Sequence, residues 1–139
     1  MKKLLLLFIP LMFFFGCEEE ENIPDECLLY GTWSLDYYES VETGYTICTC
    51  GFDADNCDLL MTQCAPITLS EDGGLNANTL GGIDRVGEWS GGCQVNDEII
   101  FNWFDQLQEE YTIIILSISN NSLLMQSSDG YINHLTKID

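Results

Sequence analysis

Gly31-Thr32-Trp33-Ser34-Leu35-Asp36-Tyr37 alternates apolar and polar residues one by one, with Trp33, Leu35 and Tyr37 on one face of an extended chain and Thr32, Ser34 and Asp36 on the other. That period of two predicts a half-buried β-strand. The glycine ahead of it lets the backbone turn in tightly, and the tryptophan two residues on supplies a large apolar anchor. The pattern returns as Gly87-Glu88-Trp89-Ser90.

Downstream the same logic repeats. Ile67 and Leu69 alternate with polar neighbours before the turn Glu71-Asp72-Gly73-Gly74, and residues 75–80 and 84–89 form weaker strands separated by Gly81-Gly82. Gly91-Gly92 and Asn96-Asp97 mark another turn, after which Ile99, Phe101 and Trp103 share a face. Residues 105–109 are a polar connection, residues 111–118 are nearly continuously apolar, and Ser119-Asn120-Asn121-Ser122 turns the chain toward Leu123 and Met125. Ser128-Asp129-Gly130 turns it again into residues 131–138. Short strands with frequent turn signals indicate an antiparallel sandwich or barrel, and no long segment of the mature chain carries a capped 3.6-residue period. Sequential hairpins favour an all-β, small up-and-down barrel of about eight strands, a closure that removes the sheet edges.

Upstream of residue 28 the chain changes character. Lys2 and Lys3 precede an apolar run over residues 4–15 and then Gly16-Cys17, the layout of a signal peptide over residues 1–16. A run of that length is too short to cross roughly 30 Å of hydrocarbon as a helix. Phe14-Phe15-Gly16-Cys17 resembles the lipobox of bacterial lipoproteins, which implies that Cys17 becomes the acylated first residue of the mature chain. The two phenylalanines depart from the usual leucine and small residue. An ordinary secretory signal with an incidental cysteine is the alternative. Residues 17–27 then form an acidic, disordered tether. Its run Glu18-Glu19-Glu20-Glu21 resembles the export signal that follows the acylated cysteine in surface lipoproteins of Bacteroidetes-type bacteria, the alternative being a solvated spacer.

Cysteine usage fits an exported chain. Of seven cysteines, removal of Cys17 leaves Cys27, Cys48, Cys50, Cys57, Cys64 and Cys93, enough for three disulfides whose connectivity stays open. Cys48 and Cys50 sit on the same side of an extended segment, so each should bond a different partner. Residues 40–64, which hold four of the six, read as a stapled loop rather than a second domain.

The residues after Cys17 carry 23 acidic side chains against two basic ones, Arg85 and Lys137, a formal charge of −21. That excludes nucleic acid and direct adsorption to anionic lipid, which need clustered Lys and Arg.

Gly31-x-Trp33, Asp72-Gly73, Gly87-x-Trp89 and the closing Tyr131-Ile132-x-x-Leu135-Thr136-Lys137-Ile138, in that order, resemble the lipocalin-like lipoproteins of Bacteroidetes-type bacteria. The likeness spans roughly residues 28–138, within a barrel domain of residues 28–139. It implies that Trp33 packs at the closed end of the barrel beneath a basic residue of the last strand, a place Lys137 would take where an arginine is more usual. The cysteine-rich excursion departs from a minimal barrel, and no second lipocalin motif is recognisable.

Catalytic and metal chemistry finds little to work with. His134 is the single histidine and no G-x-S-x-G nucleophile motif accompanies it, so it reads as structural or surface. Asp53, Asp55, Asn56 and Asp58 have a calcium-loop flavour, but Cys57, Asp58 and Cys64 occupy positions where an EF-hand needs a ligand, glycine and glutamate. Zinc is disfavoured against disulfides in an oxidising compartment, and Cys-x-x-Cys is missing. No cofactor and no enzyme activity are expected. Trp33, Trp89 and Trp103 either line a cavity or fill the core. Two functions follow. One is a monomeric, lipid-anchored outer-membrane protein, surface-exposed or facing the periplasm, holding a small apolar ligand. The other is a cell-envelope interaction protein whose filled barrel meets a protein or glycan through its loops.

Overall fold

The computed structural model describes residues 26–50, 54–79 and 82–139. Ten strands follow in chain order: β1 (Gly31–Ser40), β2 (Thr46–Cys48), β3 (Leu59–Leu60), β4 (Pro66–Leu69), β5 (Gly74–Asn78), β6 (Asp84–Gly91), β7 (Glu98–Trp103), β8 (Glu110–Ile118), β9 (Ser122–Ser127) and β10 (Tyr131–Lys137). From β4 to β10 each strand pairs antiparallel with the next, while β1 pairs with β4 on one side and β10 on the other. Eight strands thus close into an up-and-down barrel, and β2 and β3 lie outside the ring. The helical content among the described residues is a single 3-10 turn at Ala54–Asn56.

Alternation places the core. Ile99, Phe101 and Trp103 of β7 point inward, as do Ile113 and Ile115 of β8, Leu123 and Met125 of β9 and Leu135 of β10, all buried. Trp33 is fully buried and donates its indole N–H to the Leu29 carbonyl at 2.8 Å. Trp89, in the same core cluster, donates to the Ser70 carbonyl at 3.0 Å. Each tryptophan therefore buries its ring without stranding its donor.

The first strand corrects one expectation. A bulge between Leu35 and Tyr37 shifts the register, so that Tyr37 lies opposite His134 and Tyr38 opposite Asn133. Tyr37 thereby leaves the face it was expected to share with Trp33 and Leu35. It stacks on the outward His134 ring at 3.9 Å between centroids, while Tyr38 turns into the barrel mouth. Thr49 accounts for the bulge: it donates its backbone N–H to the Asp36 carbonyl at 2.8 Å and its buried hydroxyl to the Leu35 carbonyl, the groups that the bulge would otherwise orphan.

Three disulfides join all six described cysteines: Cys27–Cys93, Cys48–Cys57 and Cys50–Cys64. Cys48 and Cys50 do take different partners, and together they staple the excursion between β1 and β4. Cys27 packs against the core and is bonded to the connection after β6, so the folded domain takes in Cys27, which the sequence assigns to the tether.

Candidate functional site

The two ends of the barrel differ. At one end residues 26–30 fold across the opening, Leu29 is fully buried, and Lys137 donates to the Leu28 carbonyl at 3.3 Å with its Nζ 5.1 Å from the Trp33 ring centroid. Gly31 makes this approach feasible. Its φ is +124°, and a Cβ there would stand 2.8 Å from Lys137 Cε. The half of the barrel beneath this cover is occupied by the buried side chains of Trp33, Leu69, Leu75, Ile99, Ile115 and Leu123.

The other half is open. A cavity of about 240 Å³ runs down from the mouth, walled by Leu35, Ile67, Phe101, Trp103, Tyr111 and Met125, among others, with Arg85, Asn133 and Asp129 as polar punctuation. It adjoins a side niche of about 290 Å³ lined by Tyr38 and Tyr131, the two sharing Leu35, Ser127, Asp129 and Asn133. The bulge in β1 brings Tyr38 into that niche. A broader, shallow depression of about 790 Å³ lies on the outside of the closed end around Lys137 and Asp139.

Arg85 is inward-facing in β6, in step with Gly87 and Trp89. Its guanidinium carbon lies 4.5 Å from the Trp103 ring centroid. It donates Nε to Asp105 Oδ2 at 2.6 Å and Nη2 to Glu109 Oε2 at 3.2 Å, so the polar connection 105–109 supplies its counter-ions. Gly87 allows the strand to lie against β7, since a Cβ there would collide with the Asn102 carbonyl. Tyr111 donates its hydroxyl to Glu109 at 2.9 Å, and that hydrogen bond, with burial, pushes its pKa up. Burial, then Tyr131 and Asp129, does the same to Tyr38.

The remaining sequence candidates lie elsewhere. His134 is on the outer wall, its pKa lowered by burial, and its Nε2 is buried without a hydrogen-bond partner among the described residues. Asp58 accepts from the Thr46 N–H at 2.7 Å, and Asp55 and Asn56 sit in the exposed 3-10 turn. Among the described residues no three acidic, histidine or cysteine side chains are placed to hold a metal. Cys17, Asp53 and the tether through residue 25 lie outside the described residues.

Sequence reasoning missed Arg85, Tyr38 and Asp129 as cavity residues. Arg85 was within reach of it: it is one of two cations after residue 17 and stands in the same alternation as Trp89. Compared with known proteins, the chain matches no family model, no curated protein and no solved structure.

Proposed function

We propose that this chain is a non-enzymatic, lipid-anchored lipoprotein of the outer membrane whose lipocalin-like barrel holds a small apolar ligand. The observation that carries the reading is the contrast between the two halves of the interior: one is occupied by fully buried side chains, while the other leaves about 240 Å³ open to the mouth behind an apolar, aromatic wall. Side chains that merely filled the barrel would leave no such space at the mouth.

The anchor and the cavity are compatible in direction. Residue 26 enters at the closed end, where Cys27 is bonded to Cys93, so a tether from Cys17 would join the barrel at the end away from the mouth. That orientation suits a surface-exposed carrier, and equally one facing the periplasm. A second reading, docking of an envelope protein or glycan at the mouth, has the exposed Ile83, Phe104 and Leu107 of the rim in its favour, at 65%, 64% and 73% exposure.

Calorimetric titration with 2-phenylethanol, a neutral single-ring probe, tests the carrier reading. Saturable binding that disappears in Ala77→Trp, which fills the cavity, is the expected result; undiminished binding by the filled variant, or none to either, contradicts it. Cys17→Ser should move the protein out of the membrane fraction, because stable anchoring depends on the acyl chains.

A further inference from the structure

Resting on the carrier reading, the charges around the cavity narrow its ligand to one class. Arg85 is the one basic side chain that lines the cavity among the described residues, and both Asp105 and Glu109 already hold its guanidinium. A carboxylate ligand would have to displace one of these acids or lie beside them. The Arg85 group as a whole is therefore net negative, and it repels anions rather than receiving them.

The opposite wall has the same preference in a stronger form. Tyr38 and Tyr131 meet edge to face with ring centroids 5.4 Å apart, and with Asp129 they bound a niche that no lysine or arginine lines. Aromatic faces attract cations, and a carboxylate at the same corner adds to that attraction. The raised pKa of the Tyr38 hydroxyl, caused by burial and by Tyr131 and Asp129, agrees that the corner disfavours added negative charge. The cavity left for the apolar body beside this corner is about 240 Å³, below the roughly 300 Å³ at which sites for drug-sized ligands begin, so the body, apart from the group in the niche, must be small.

We propose that the ligand is a small organic cation, a single apolar or aromatic body bearing a protonated amine, with the amine at the Tyr38–Tyr131–Asp129 corner and the body against Phe101 and Trp103. The amine replaces part of its hydration by ring faces and a carboxylate. The body buries the apolar surface.

Three probes with nearly the same body separate this from the general carrier reading: 2-phenylethylammonium, 2-phenylethanol and 3-phenylpropionate, titrated calorimetrically into the protein at neutral pH. The ammonium should bind about tenfold tighter than the alcohol and the carboxylate most weakly. Added salt should reduce the preference. Asp129→Asn, an exposed and conservative change, should reduce the ratio of ammonium to alcohol affinity toward one. If the alcohol binds and the ammonium shows no advantage, or if the carboxylate equals it, the inference is overturned and the carrier reading stands. If none of the three binds, both fall.

Discussion

Lys137 and Arg85, the two cations after residue 17, both face the barrel interior, and each lies over a tryptophan: Lys137 over Trp33 and Arg85 over Trp103. In a chain so acidic their placement decides what each end of the barrel can do. For Lys137 that role is structural. Losing the buried indole costs about 3 to 5 kcal/mol, whereas a cation over it contributes about 0.5 to 2 kcal/mol. Trp33→Ala should therefore destabilise strongly and Lys137→Met mildly, and because the groups touch, the double variant should lose less than the sum. Unfolding free energies that simply add would remove this contact. His134 offers a second measurement. Burial lowers its pKa in the fold below the ordinary value of 6.5, with Glu39 and Asp36 opposing, so the unfolded chain binds the proton more readily. Its contribution to stability is intact above pH 6.5 and is lost as pH falls through the lower, folded value. His134→Phe, which keeps a ring against Tyr37, should flatten stability against pH in that window; an unchanged profile would show that other groups dominate. The Trp33 position was legible from the strand pattern. Arg85's inward place was within reach of the same pattern, but its counter-ions were not, because they come from a connection that looks merely polar in the sequence.

Strand β1 marks how far alternation reaches. From Trp33 to Leu35 the period of two holds, and it fails at the bulge because Thr49, from the stapled excursion, satisfies the Leu35 and Asp36 carbonyls. No local pattern reveals a partner that arrives from another loop. The same bulge ends the pairing of β1 with β4 at Ser34 and hands its far half to β2, which brings Tyr38 to the mouth. The cysteine spacing showed that Cys48 and Cys50 part company, but their partners depend on how the excursion folds back. The disulfides should not contribute equally. Closing a loop with a sequence separation of 66 through Cys27–Cys93 restricts the unfolded chain by about 4 kcal/mol, against about 2.6 kcal/mol for the separation of 9 spanned by Cys48–Cys57. Denaturant unfolding of Cys27→Ser/Cys93→Ser should therefore show the larger loss, compounded by loosening of the cover over Leu29. A larger loss from Cys48→Ser/Cys57→Ser would mean that the excursion, rather than the closed end, holds the barrel together.

At the scale of the whole molecule, the all-β class, the hairpin order and the closure were legible because turns and alternating strands recur in register along the chain. The interior was not. The same tryptophans and tyrosines suit a filled core and a lined cavity equally, and what decides between them is where each ring stands along the barrel axis. Trp33 and Trp89 lie in the packed half and Trp103 in the open one. That division makes the three tryptophans reporters of the central claim. In a nitrogen–proton correlation spectrum of the protein titrated with 2-phenylethylammonium, the Trp103 indole resonance should move saturably while those of Trp33 and Trp89 stay in place. Movement of the Trp33 or Trp89 resonance instead, or no movement of any of the three, would contradict a barrel that is solid at one end and holds its ligand at the other.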